Sequence, residues 1–334
     1  MRITRDLLVK TAKDTVAIKL RKEKDIVAAF MVGSAQGEHP LLGGMTDIDI
    51  IIIHLDEPKV EREIQRVFDE VHLDIVHHPQ HYYLQPRELR TEPWLGNAVY
   101  NHPLLLHDVR HWFEFTQASV GAQFYRPDLV IQRAQKLFNN ARDIWSVLKE
   151  SRKSHSERIR FYLAAIASAG NAIAVLSGNP LPNRRFGLEL PQRCSAIGKP
   201  QLADELFDLL CRDDLSRDEL TGLLADWDTA FNGAGGQEKF SMDVHPLRRD
   251  YYYKAFEQII ADAPVQSVYF PLLRTWNKAI CSFLSSSPEY DRWLHAMGHF
   301  ALGREDFNDR LAELDAFLDR LEDILEKWAA SHGA

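Results

Sequence analysis

Two carboxylates at alternate positions, Asp47 and Asp49, open the apolar string Ile48 to Ile53. Side chains alternate across a strand, so Asp47 and Asp49 project from one face while Ile48 and Ile50 point into a core on the other. Carboxylates that close repel each other unless a cation lies between them. An all-oxygen ligand set of this kind suits Mg²⁺, which keeps some water and takes substrate phosphate as its remaining ligands. Upstream, the apolar run ending in Met31-Val32 is followed by Gly33-Ser34. A glycine there lets a phosphate chain approach the backbone, and the serine offers a hydroxyl and an N–H. Downstream, Val71-His72-Leu73-Asp74-Ile75-Val76 reads as a strand carrying a third acid, Asp74, with His72 on the same face.

The order apolar-Gly-Ser, a spacer, then Asp-apolar-Asp-apolar resembles the signature of the polymerase-β-like nucleotidyltransferase superfamily, carried here by Gly33, Ser34, Asp47 and Asp49 with Asp74 as the third acid. The resemblance implies that an acceptor hydroxyl attacks the α-phosphate of ATP or another nucleoside triphosphate and pyrophosphate leaves. It implies two Mg²⁺ ions held by Asp47, Asp49 and Asp74, with Asp74 as ligand, general base or both. Members of the superfamily often carry a basic residue two positions after the serine, where this chain has Gln36, and the following loop, Glu38 to Met45, is longer and richer in glycine. The triphosphate therefore has one fewer counter-charge from this module.

That deficit directs attention to Arg184 and Arg185, after a proline-rich turn, and to Arg248, in His245-Pro246-Leu247-Arg248-Arg249. Each could reach a phosphate from a loop or helix start; a solvated helix end or a local ion pair is the competing reading. Arg274 and Lys278 share a helix face and are weaker candidates. The histidines His72, His77, His78 and His81 have no spacing that specifies a zinc site.

The elements that position these residues follow from periodicity. Ile3 to Lys24 reads as an amphipathic helix through Leu7, Leu8, Ala12, Val16 and Leu20. Ile26 to Val32, Thr46 to His54 and Val71 to His77 read as strands, Ala35 to Met45 as a short helical turn and a loop, and Lys59 to Glu70 as a helix. Gln85 to Leu95 and Leu104 to Val109 complete a small module with a mixed sheet. From about Pro127 long helical patterns take over: 129–150, 156–176, 201–212, 217–231, 247–261, 265–284 and 307–329. The expected fold is α+β: a nucleotidyltransferase module over residues 1–115 and an all-helical, substrate-binding domain over 120–334. This layout resembles bacterial antibiotic-type adenylyltransferases, in which a helical domain closes over the cleft.

At 334 residues, two domains are expected. No stretch reaches the roughly 18 to 20 apolar residues of a membrane span. The charged segment Met1 to Lys24 has no signal-peptide core, and three scattered cysteines, Cys194, Cys211 and Cys281, fit reduced thiols, so a cytoplasmic location is expected. A net charge of −8 argues against non-specific nucleic-acid binding. The sequence thus points to transfer of AMP from ATP to a hydroxyl of a small molecule. Modification of a protein or an RNA end, as in toxin–antitoxin pairs, and a non-catalytic nucleotide-binding regulator remain as alternatives. Neither the acceptor nor the oligomeric state is legible.

Overall fold

The isoleucine string forms the central strand of a five-stranded sheet. The structure, a computed structural model, describes residues 3–37, 39–236 and 241–334. It divides into two units, Met1–Tyr125 and Arg126–Ala334. The first opens with helix α1 (Arg5–Lys22), capped by the Thr4 side chain at its N-terminus, and strand β1 (Ile26–Val32). After a 3₁₀ turn at Ser34–Gln36 come strands β2 (Thr46–His54), β3 (Arg62–Phe68) and β4 (Val71–Pro79). Two short helices, α2 (Pro86–Leu89) and α3 (Leu95–Tyr100), precede strand β5 (Leu104–Asp108) and helix α4 (Trp112–Gly121).

The sheet order is β3-β4-β2-β1-β5. Among the described residues only β2 and β4 pair in parallel; the other neighbours are antiparallel, so the sheet is mixed. Both faces of β2 are covered, which explains a continuous apolar run in place of alternation. Ile48, Ile50 and Ile52 pack with Ala29, Met31, Leu73 and Ile75 under Leu8, Ala12 and Val16 of α1. Ile51 and Ile53 pack on the other face with Phe30, Tyr83, Leu89 and Phe113.

The segment Lys59 to Glu70, expected as a helix, contains β3 instead. Val60, Ile64, Val67 and Phe68 do recur at helical steps, but only Asp69 and Glu70 separate β3 from β4, and the two strands form an antiparallel hairpin from Arg62↔Val76 to Phe68↔Val71. The register shift between Arg66 and Phe68 lets both Val67 and Phe68 lean on the α1 side of the core. Pairing with β4 satisfies the backbone of both strands, a gain that a weak amphipathic pattern does not match.

The second unit is built of helices α5 (Pro127–Lys149), α6 (His155–Ala174), α7 (Phe186–Ala196), α8 (Gln201–Leu210), α9 (Arg217–Gly235), α10 (Arg249–Asp262), α11 (Tyr269–Ile280), α12 (Pro288–His299) and α13 (Phe307–His332). The fold is therefore α+β with an all-helical C-terminal part. The expected helices are present, except that 265–284 is a 3₁₀ turn followed by the shorter α11. Helices α7 and α12 were not evident from periodicity. Helix α7 carries Pro191 inside it, which weakens its helical signature. Ser154 and Ser216 close reciprocal capping boxes with Glu157 and Glu219, fixing where α6 and α9 begin. The three cysteines are free thiols. Among the described residues no helix is long and apolar enough to cross a membrane.

His155 begins α6, buried, with Nε2 3.0 Å from the Leu302 carbonyl oxygen. Desolvation, the largest influence, pulls its pKa from 6.5 down to about 4, and Arg304 and Arg158 add to that. Above pH 6.5 both folded and unfolded chains hold the ring neutral. Below it the unfolded chain takes the proton first, so stability falls as the pH drops toward 4, by on the order of 3 kcal/mol. Urea unfolding across pH 7 to 4 is expected to show a shallower loss for His155→Gln than for the parent chain.

Candidate metal centre

The parallel register of β2 and β4 sets Asp47 opposite His72 and Asp49 opposite Asp74. Asp47, Asp49 and Asp74 each present an oxygen, and these oxygens lie within 4.8 Å of one another. Asp47 and Asp74 are buried, and Asp49 is half-buried. His72, also buried, shares the strand face of Asp74 as its spacing implied. The all-oxygen set and its compactness fit a hard divalent cation such as Mg²⁺, for which these three residues would be the protein ligands.

Two turns aim this cluster. Gly43 and Gly44 both adopt positive φ, 63° and 71°, between Leu42 and Met45, whose backbones exchange hydrogen bonds of 3.1 and 3.2 Å. That tight turn delivers the chain into Thr46 and Asp47. Glu38, where the expected loop begins, lies outside the described residues; the turn occupies the end of that loop. The second turn is at Gly33, just beyond the Val32↔Asp49 pair of β1 and β2. Its φ of 81° and ψ of −168° belong to a region that glycine alone occupies readily. A Cβ built there would stand 2.1 Å from Oδ2 of Asp49. Gly33 is exposed and stands against Asp49, and Ser34, half-buried, opens the 3₁₀ turn that follows.

Gln36 folds back on its own strand: Nε2 donates to the Met31 carbonyl oxygen at 2.7 Å. Its carbonyl in turn accepts from Nε of Arg5 at 3.1 Å, bringing a guanidinium from α1 against the turn. A second positive charge enters from β3. Arg62 donates through Nε to Oδ1 and through Nη2 to Oδ2 of Asp74, both at 2.7 Å. This forked geometry is the strong form of an arginine–carboxylate pair. Sequence reasoning missed Arg62 because its segment read as a helix; the two-residue gap before β4 is the hairpin signal that would have found it.

The arginines nominated in the helical unit have local roles there. The Arg184 guanidinium lies 3.6 Å from the centre of the Tyr251 ring, and its Nη1 donates to the Tyr251 carbonyl oxygen at 3.2 Å. Arg248 lies 5.8 Å from the same ring centre, and both arginines are buried. Arg185 ends the 3₁₀ turn that leads into α7. Lys278 pairs with Asp243, and burial depresses the pKa of Arg274. Within the first unit, the residues brought together at the acid cluster are Gly33, Asp47, Asp49, Asp74 and Arg62.

Among known proteins, no family model matches the chain and no curated protein is significantly similar to it.

Two substitutions test this geometry. Gly33→Ala forces both the backbone and the Asp49 carboxylate to move, and is expected to weaken Mn²⁺ binding, followed by electron paramagnetic resonance, at least tenfold while leaving the fold intact by circular dichroism. Arg62→Met strips Asp74 of a charge partner and is expected to cost about 2 kcal/mol, less than a fully buried pair because Arg62 is partly exposed. Adding Asp74→Asn should restore most of that loss in a urea double-mutant cycle.

Proposed function

We propose that this chain is a metal-dependent nucleotidyltransferase that moves AMP from ATP to a hydroxyl of a small molecule in the cytoplasm. The observation that carries the reading is the in-register placement of Asp49 beside Asp74, with Asp47 on the same face and Gly33 against Asp49. In the reaction the acceptor oxygen forms a bond to the α-phosphorus, the bond from that phosphorus to the bridging oxygen breaks, and pyrophosphate departs with the electron pair. Bound Mg²⁺ would supply charge stabilisation to the phosphates.

The chain's own groups divide the remaining work. Asp47 and Asp49 would hold the cation from β2, on a strand whose other face is locked into the core. Asp74 stands on the neighbouring strand, oriented by the Arg62 fork, where it serves as a ligand or takes the acceptor proton. Gly33 leaves the approach to Asp49 open, because any side chain there would fill the space. Ser34 offers its hydroxyl and backbone N–H to the terminal phosphates. Arg5 and Arg62 supply positive charge near the turn and the acids, in place of the basic residue that Gln36 replaces.

The test uses purified full-length protein, α-labelled nucleoside triphosphates, Mg²⁺ and a panel of hydroxylated small molecules. Label on a small molecule, with pyrophosphate released, is the expected result, and Asp49→Asn should lower the rate at least ~100-fold. Label on protein or RNA would replace the small-molecule acceptor with those classes. Absence of turnover with every nucleotide, or full turnover in Asp49→Asn, would overturn the enzyme reading.

A further inference from the structure

A second cluster lies on the opposite face of the same two strands, at their far ends. His54 closes β2 and His77 stands near the end of β4, both buried beside the C-terminal end of α1. Nε2 of His54 and Nδ1 of His77 face each other at 2.8 Å. The outer nitrogen of each ring meets a carboxylate: His54 Nδ1 lies 3.0 Å from Asp25 Oδ2, and His77 Nε2 lies 2.9 Å from Glu63 Oε1. Glu23, the C-cap of α1, completes a group whose ligand atoms lie within 4.8 Å of one another.

Proton bookkeeping makes this arrangement informative. An ionised carboxylate only accepts hydrogen bonds, so the outer nitrogen of each ring is the one that donates. The inner nitrogens then point lone pairs at each other, and a positive centre must lie between them. A hydrogen-bonded carboxylate behind each histidine is the outer-shell pattern that orients imidazoles on a metal. Charge balance points the same way. Glu23, Asp25 and Glu63 outnumber the cations beside them, Lys19, which contacts Glu63 and sits 3.8 Å from Glu23, and Lys59, which acts on Asp25. The C-terminal end of α1 adds its own negative pole.

We propose that His54, His77 and Glu23 form a Zn²⁺ site, distinct from the aspartate cluster, that clamps the end of α1 to the ends of β2 and β4. Nitrogen donors with one carboxylate suit Zn²⁺ or its neighbours better than Mg²⁺. Zinc binding spreads the two rings from their 2.8 Å contact, loosens Lys19 from Glu23 and takes a water as fourth ligand.

The test uses the full chain carrying Asp47→Asn and Asp49→Asn, so that the acid cluster does not compete, with Co²⁺ as the optical probe and Zn²⁺ as the competitor. One Co²⁺ per chain, visible bands of a four- or five-coordinate site, displacement by Zn²⁺ and a Tm raised by a few degrees with Zn²⁺ are expected. His54→Gln and His77→Gln should abolish the bands. Glu23→Gln, a change at a partly exposed position that should leave folding intact, should weaken binding at least tenfold. No bands in the aspartate variant, or equal binding after Glu23→Gln and His77→Gln, would overturn the site and leave a shared proton between the rings.

Discussion

The parallel pairing of β2 with β4 is the constraint on which the candidate centre depends. Asp47 and Asp49 are neighbours by sequence alone, but Asp74 joins them only because Ile48 to His54 and Leu73 to Pro79 run side by side in one register. A slip of one residue would turn Asp74 toward the α1 side of the core and bring Leu73 or Ile75 out in its place. The apolar faces prevent that slip. Ile50, Ile52 and Ile75 pack under α1 while Ile51 and Ile53 pack against Phe30 and Phe113, so the hydrophobic core sets the geometry of the polar site.

The same strands carry two different kinds of chemistry because the face reverses at every residue. Oxygen donors gather where β2 and β4 begin, on one side of the sheet, and nitrogen donors gather where they end, on the other. The oxygen and nitrogen donor sets are thereby kept on separate faces, with neither group intruding on the other. Each group has neighbours that hold it: the Arg62 fork and the Gly33 turn for the acids, Asp25 and Glu63 for the histidines.

Much of this was legible in the sequence, for physical reasons that differ by residue. The string Ile48 to Ile53 marks a strand buried on both sides, and its flanking Gly33, Asp47 and Asp49 could be read directly because their spacing is local. Asp74 was legible because apolar residues alternate around it. Arg62 was not, since Val60, Ile64, Val67 and Phe68 satisfy a helical stripe as well as a bulged strand, and only pairing with β4 decides between them. The His54–His77 contact was likewise hidden: it depends on register between distant segments, which periodicity does not encode. In the helical unit, Arg184 and Arg248 stood out as charges; Arg248 packs on Tyr251 from the turn just before α10, whereas the packing of Arg184 on the same ring joins two segments distant in sequence.

The Arg62–Asp74 fork has a consequence for how the protein is made. Three carboxylates drawn together would ordinarily oppose the folding of the sheet that gathers them, and a chain so built would wait on its cation before it could close. A guanidinium tethered to the adjacent hairpin travels with the strand that brings Asp74, so part of the counter-charge arrives in the same event as the charge. Assembly of the sheet thus carries its own partial charge compensation, and any cation bound there would join a fold already closed.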